Sequence, residues 1–351
     1  MPALTPTYLM DFESRMQRLT EQEYARFNTN LWWQKITKLR STGARRDVVT
    51  WLLSTATIKD QGKMGGNIHF EDLVATYTEV EASYSGDGFK LRRAQLEDTD
   101  GDGLNLGSEW STQIGAYMKY WPQKRVAHFL KSGHTTKYVG YDKLPFFAMA
   151  HPLNPFALNF GNFNNVFTGA AAGAYPGAVP LDESVTLDVA LQNLRKIMTY
   201  IASLKMPNGE DPRYLRPAFI LCSPQLYPRA VQLTEAKFFG QSAGPGGAGG
   251  SEFVTTDVEG LIKALGYATP VMVNELAGFE NDTTYFVACE NVTSSQLGAV
   301  VYTQREPFRI NYYGTMDQAQ LDRAQELEWH CIGRNTVSAG HPYLLYKCMA
   351  T

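Results

Sequence analysis

The sequence has little of what would mark an enzyme, a membrane protein or a secreted one. No apolar run reaches the roughly 18 residues needed to span a bilayer, and the N-terminus lacks a charged-then-apolar signal pattern. A product made in the cytoplasm, with no membrane partner, is expected. The four cysteines (Cys222, Cys289, Cys331, Cys348) lie far apart in apolar surroundings without CxxC spacing, so buried reduced thiols are expected rather than a disulfide framework or a zinc site. No Walker sequence and no GxSxG elbow occurs. The histidines at 69, 128, 134, 151, 330 and 341 show no metal spacing with Cys or acidic residues, and no nucleophile lies at a recognisable offset from an acid–base pair. Catalysis is therefore not expected, and no cofactor is nominated. Two glycosylation sequons, at Asn281 and Asn291, are read as chance matches in a chain without a secretion signal.

Charge is also scarce. Charged residues make up 19% of the chain, against about 25% in a typical soluble protein. A net charge of −3 and a pI near 6.1 argue against a dedicated nucleic-acid binder, which would carry a basic domain or stripe. The one local bias noted is N-terminal: residues 1–46 hold eight Lys/Arg against four Asp/Glu, which fits a solvated amphipathic helix better than a DNA-facing arm. What the chain does have is apolar material. At 44% hydrophobic over 351 residues it can bury cores for two lobes, with surface left over for burial between subunits.

Hydrophobic periodicity predicts a helix over 12–40, with Pro2 and Pro6 keeping the tip extended. Glycines at 62, 65 and 66 and a Gly-Asp-Gly turn at 86–88 bracket β-rich runs, so 58–92 reads as a long hairpin. It has too little apolar surface to stand alone and needs a partner. A long helix is predicted over 105–133, with Trp110 and Trp121 on its buried face and Pro122 interrupting or restarting it. A stripe of Leu187, Leu191, Leu194, Met198 and Ile201 predicts a second helix. Residues 218–222, 270–274, 285–288, 299–302 and 343–346 predict strands, with 316–332 left as helix or strand. The aromatic, Asn-rich segment 154–176 has no period and is read as an ordered covering loop. Together these make an α+β fold.

Two motifs have rival readings. Gly244-Pro-Gly-Gly-Ala-Gly249 satisfies GxGxxG, but it follows a predicted helix instead of a strand, so a flexible glycine-rich loop is the better account. In the acidic loop Glu97-Asp-Thr-Asp-Gly-Asp-Gly103, the residues Asp98, Asp100, Asp102, Gly103 and Glu109 occupy positions one, three, five, six and twelve of an EF-hand calcium loop. Asn105 stands at position eight, where an apolar residue is usual, and the preceding segment reads as strand. Capping of the following helix by carboxylates is the preferred reading, with calcium retained as the lesser one.

The order of these features matters more than any single residue. Arg93 and Asp98 precede a long helix, and Tyr141, Asp142, Phe146, Phe147, His151 and Pro152 follow it. This resembles the major head subunit family of Mu-like tailed phages, which typically reads Tyr-Asp-Gly-x-x-Phe-Phe-x-x-x-His-Pro after the helix. Lys143 stands where that family has Gly, a change that should alter the turn's backbone preference. The run Arg216-Pro-Ala-Phe-Ile-Leu-Cys-Ser-Pro-Gln-Leu226 is similar to the strand-to-helix step of the same family. The resemblance implies the Hong Kong ninety-seven type of capsid fold, divided into an N-terminal arm (1–57), an E-loop hairpin (58–92), a peripheral domain with the spine helix (93–184), an axial domain (185–315) and a return to the peripheral domain (316–351). It implies a subunit that self-assembles into an icosahedral head enclosing double-stranded DNA, found in the virion and in host cytoplasm during assembly. Implied partners are copies of itself, a portal, decoration proteins and a scaffold, the last separate because arm-like sequence begins almost at Met1. An encapsulin-like compartment and a calcium-binding module or enzyme are the alternatives.

Overall fold

The computed structural model describes residues 6–26, 31–52, 75–92, 102–172, 175–235, 238–239, 256–257, 269–291, 298–313 and 326–350. It falls into two compact units, each threaded from three stretches of chain. The first is Met1–Asp47, Glu79–Val126 and Tyr302–Val337; the second is Val48–Thr78, Ala127–Val301 and Ser338–Thr351. Residues 93–184, expected as one part, are thus divided between the units at 126/127.

In the first unit, α1 (Pro6–Arg26) lies against α2 (Asp102–Ser132), whose residues beyond Val126 belong to the second unit. The contact is close because α2 presents small residues every fourth position. A Cβ on Gly107 would collide with the Phe12 ring, and one on Gly115 would lie 2.6 Å from the Thr20 carbonyl oxygen. Between them Ser111 is fully buried, and the single Thr20 hydroxyl proton has two acceptors within reach, the Met16 carbonyl (2.9 Å) and the Ser111 carbonyl (3.1 Å). The predicted first helix is therefore shorter than 12–40 and begins earlier, with Pro6 as its first residue, where a missing N–H costs nothing. After it come a 3₁₀ turn (Trp32–Lys35) and β1 (Thr37–Ser41). The tryptophans at 32 and 33 are buried by that turn.

β2 (Arg46–Leu52) pairs with β3 (Ala75–Glu81) in a two-stranded sheet, and β4 (Ser83–Arg92) belongs to a different one, ordered β1-β13-β14-β4, with β13 (Val300–Tyr313) and β14 (Glu326–Ala339). The expected hairpin over 58–92 is corrected accordingly: its two described strands pair with other partners. The reason is apolar register. Antiparallel pairing sets Phe89 opposite Trp329 and Leu91 opposite Leu327, and these side chains join Leu9, Phe12 and Met16 of α1 in one core. The Phe12 ring meets Trp329 edge-on at 5.4 Å, while Phe89 stacks on Trp329 at 5.1 Å. Region 316–332, left open between helix and strand, contributes to β14 from residue 326 onward.

α2 runs through Pro122 without ending. Trp110 and Trp121, expected to be buried, are only half-buried here. The Trp110 indole donates to Asp87 (3.4 Å) at the surface, and that of Trp121 donates to the side-chain oxygen of the buried Asn335 (3.1 Å).

The second unit is built on a five-stranded mixed sheet of β7 (Val166–Phe167), β8 (Leu215–Cys222), β11 (Thr269–Met272), β12 (Tyr285–Asn291) and β15 (Leu345–Cys348) in the order β11-β8-β12-β15-β7. The short strands β5 (His151–Pro152) and β6 (Asn162–Phe163) pair with each other, as do β9 (Phe238–Phe239) and β10 (Thr256–Asp257). Helix α3 (Leu187–Ala202) is capped by the Thr186 hydroxyl, which accepts from the Val189 N–H. It packs on β8 through Ala190, Leu191, Leu194, Ile197 and Ile201, the face predicted from the Leu stripe. Helix α4 (Tyr227–Glu235) packs on β11. The predicted loop 154–176 does cover the core, since Phe163 and Phe167 are buried and β7 joins the sheet edge.

If the small-residue seam fixes α1, Gly115→Val should destabilise the protein by about 1–3 kcal/mol in urea unfolding, because the new side chain meets backbone that cannot yield. Gly43→Ala, where nothing lies within 4 Å of the added carbon, should stay within about 0.5 kcal/mol of the parent. Equal effects at both positions would refute the seam.

Candidate functional site

The segment that followed the long helix in sequence closes on itself as a knot of buried polar contacts inside an aromatic shell. Phe129, Phe146, Phe147 and Phe286 form a ladder of rings 4.9 to 5.5 Å apart from one to the next, with Tyr138 edge-on to Phe129 at 4.8 Å. Into this shell the chain places an imidazole and a carboxylate, both fully buried: His151 Nδ1 lies 2.6 Å from Asp142 Oδ2, and Nε2 lies 3.1 Å from the Phe146 carbonyl oxygen. The other Asp142 oxygen accepts from the Leu144 N–H at 3.1 Å. The Tyr141 hydroxyl donates to the Pro152 carbonyl, and burial followed by the Asp142 charge pushes its pKa well above the usual phenol range. Phe163 stacks on the His151 ring at 5.3 Å. Each residue of the Tyr-Asp…Phe-Phe…His-Pro signature thus acts on another member, fastening a loop. This is the role expected of His151.

The turn between Tyr141 and Leu144 carries the departure from the family pattern. Lys143 keeps a left-handed backbone, φ 65°, the conformation Gly would adopt freely. The turn is retained and the lysine bears the strain, typically about 1–2 kcal/mol for a residue with a Cβ. Its ammonium then reaches the Tyr77 carbonyl (2.7 Å) and the Thr78 hydroxyl (3.3 Å), and the Thr76 hydroxyl donates to the Tyr141 carbonyl (3.0 Å). The departure therefore adds a tie to β3 that a glycine could not make.

Sequence reasoning missed the asparagines that complete the knot. Asn165 donates to the Phe146 carbonyl (2.6 Å) and accepts from the Ala148 N–H (3.1 Å), while Asn164 accepts from the Ala150 N–H (2.7 Å). The recurrence of Asn at 159, 162, 164 and 165 was the available signal. It also missed a buried cation cluster nearby. Arg213 is 4% exposed, stacks over Tyr343 at 3.7 Å and donates through Nε to the Lys205 carbonyl (3.1 Å). Burial, reinforced by Arg213, pulls the His341 pKa down to about 3, so this imidazole is neutral in the fold.

The acidic loop is not assembled by the described residues. Asp98 and Asp100 lie outside them, as do Arg93 and the glycine-rich 244–249 segment. Asp102 is the first residue of α2, and Glu109 is exposed on that helix. Among the described residues no group of three or more His, Cys, Asp or Glu could hold a metal ion. The cysteines are free; burial pushes the thiols of Cys222 and Cys331 up to about 12, which makes them unreactive at neutral pH.

Comparison with known proteins follows the same lines. Residues 13–176 match the family of Mu-like prophage major head subunit gpT, and residues 157–326 match the family described as phage capsid protein. No curated protein matches the sequence. Solved structures similar to it include the procapsid of bacteriophage JBD30 (13% identity, 99% of this chain and 76% of that one, TM-score 0.48) and the capsid of cyanophage P-SCSP1u (13%, 90% and 86%, 0.49). Another is a virus-like particle from Pyrococcus furiosus (5%, 96% and 99%, 0.48). The two family matches overlap at 157–176 and together run from residue 13 to 326, so the protein is a phage capsid protein, a shell-forming structural subunit. Within that class the match over residues 13–176 is to the Mu-like major head subunits. The α+β order expected of the Hong Kong ninety-seven type is present: extended strands, a 31-residue helix and a sheet flanked by two helices.

Two measurements probe the knot and its surroundings. Lys143→Ala and Lys143→Gly both lose the ammonium contacts, but only glycine relieves the left-handed strain, so the glycine variant should be more stable than the alanine one by about 1 kcal/mol in urea. An alanine variant of equal stability would show that the turn is not left-handed. For His341, the folded pKa near 3 lies below the unfolded value of 6.5, so the unfolded state takes up a proton first as pH falls. Stability from this group is fully present above about pH 6.5 and declines towards pH 3. At pH 4.5, His341→Gln should have lost roughly 2–3 kcal/mol less than the parent relative to pH 8. Parallel pH profiles would contradict the neutral buried imidazole.

Proposed function

We propose that this subunit builds a head enclosing double-stranded DNA by lending partly unsupported elements to its neighbours, and that it carries out no catalysis. The observation that carries this reading is the β2–β3 sheet. Among the described residues two strands are paired there, and two strands are marginal on their own in water. One face of β2 is buried, with Val49 and Trp51 inside and the Trp51 indole donating to the Gly340 carbonyl (2.9 Å), while Val48, Leu52 and Tyr77 stand exposed. Ion pairs from Arg45 to Glu81 and Arg46 to Glu79 tie the ribbon's base in solvent, where each contributes at most about 1 kcal/mol. The exposed apolar side needs cover, and a neighbouring copy in a shell supplies it.

On this reading the ribbon and the residues joining its strands form the E-loop, the first unit is the peripheral lobe with the spine helix, and the second unit, carrying the five-stranded sheet, is the axial lobe. Many modest contacts of this kind stabilise a shell through repetition. A separate scaffold, a portal and decoration proteins are further partners of the assembling head, in host cytoplasm first and in the virion afterwards. Calcium has no part in this scheme.

Replacing residues 53–74 by a short turn should leave a soluble, folded protein, with circular dichroism and melting close to the parent, that forms capsomers and no closed shells under electron microscopy. Normal shells from that variant would refute the role of the ribbon. Parent shells that hold protein cargo in place of DNA would favour the compartment alternative.

A further inference from the structure

Between Trp110 and Tyr141 the sequence contains no Asp or Glu, although one residue in ten of the chain is acidic. The same stretch holds five Lys/Arg, at 119, 124, 125, 131 and 137, in a protein whose net charge is −3. The N-terminus is therefore not the only basic region of the chain.

The first unit shows how these charges are kept. Tyr117, Trp121, Lys124 and Arg125 are spaced i, i+4, i+7 and i+8 on α2, which places them on one helix face. The exposed Lys124 ammonium donates to the Tyr117 hydroxyl at 2.9 Å and lies 5.4 Å from the Tyr117 ring and 5.8 Å from that of Trp121; the Arg125 guanidinium is 6.0 Å from the Trp121 ring. Among the described residues, neither cation has a carboxylate within ion-pair distance. In the same unit Arg40, Arg45, Arg46, Lys90 and Arg334 each have one, whereas the cations of this face are held by aromatic rings. Cations resting on ring faces are oriented without being neutralised, and an aromatic neighbour weakens neither their charge nor their donors. A polyanion is the ligand that such a face fits: each phosphate can take a donor, and release of its counterions supplies the affinity.

We propose that the α2 face formed by Tyr117, Trp121, Lys124 and Arg125 contacts the phosphate backbone of double-stranded DNA without regard to sequence. This rests on the shell reading, and its test separates the two. Purified unassembled parent protein is titrated against fluorescein-labelled 20-base-pair duplexes of two unrelated sequences over a salt series, alongside Lys124→Gln/Arg125→Gln and Arg15→Gln/Arg18→Gln. The last pair removes the same charge from exposed positions of α1. The parent should bind both duplexes alike. The α2 variant should lose at least tenfold in affinity at low salt and about two phosphate contacts from the salt slope, roughly 0.9 per contact. The α1 variant should keep the parent's slope. Equal losses in both variants would reduce the effect to net charge, and a loss confined to the α1 variant would move the contact to the N-terminal helix; either overturns the proposal, as does a parent that does not bind. An α2 variant that binds DNA as the parent does but no longer forms shells would make this face a subunit contact, again overturning it. Absence of shells from the parent would instead count against the capsid reading.

Discussion

The second unit depends on one buried pair, Asp142 with His151. Both side chains are removed from water among phenylalanines, where an unpaired charge or donor costs several kcal/mol. Each ring nitrogen of His151 must meet a hydrogen-bonding partner, and it has the Asp142 carboxyl group on one side and the Phe146 carbonyl on the other. That requirement fixes the loop geometrically. The Phe146 carbonyl must point inward, which sets Phe146 and Phe147 in the ring ladder, and Asn165 must come close enough to share the same carbonyl. The signature is a closed circuit of hydrogen bonds, which is why its residue types are specified so tightly at such unequal spacings.

The first unit solves the same problem of holding distant segments together by shape. Its core is a stack of aromatic rings from α1, β4 and β14, and its closest approach is a seam of Gly107, Ser111 and Gly115 against α1. Polar groups are few there. The Thr20 hydroxyl uses two carbonyls at the seam, and the buried Asp47 accepts from Thr303 (2.9 Å) and faces Arg40 (3.3 Å). A chain folded from three separate stretches per unit pays for long loop closure, and dense aromatic burial offsets that cost with few residues.

Charge placement inside the second unit follows a consistent rule. Lys347 is nearly buried and meets Glu280 at 2.5 Å, while the second Glu280 oxygen accepts from Thr284, also at 2.5 Å. Glu280, Asn281 and Asp282 all have left-handed backbones, a strain that these contacts and the Asp282 bond to the Gly278 N–H (2.9 Å) hold in place. Among the described residues Arg213 has no carboxylate within ion-pair distance and uses the Tyr343 ring and a carbonyl in its stead, while burial, and then the Arg213 charge, hold down the basicity of His341. Buried cations in this protein are thus held by whatever acceptor the packing leaves, and acid is expected to weaken the unit through the imidazole that cannot be charged.

By itself the sequence determined the α+β class, the long helix, the Leu-striped helix and the buried strand around Ile220, because each follows from a local period that survives in any context. It also determined the family, since the signature is a fixed order of residue types along the chain. What it did not determine was partnership. Strand pairing depends on registers between segments hundreds of residues apart, so Phe89 and Leu91 could not be matched to Trp329 and Leu327 by inspection, and a hairpin with the nearest strand looked equally good. Pro6 and Trp32 were misplaced because helix ends are set by what the next segment packs against. The left-handed turn at Lys143 was decided by the tertiary structure alone: local preference opposes it, and only the surrounding knot, with the ammonium tied to Tyr77, makes that conformation the lowest in energy.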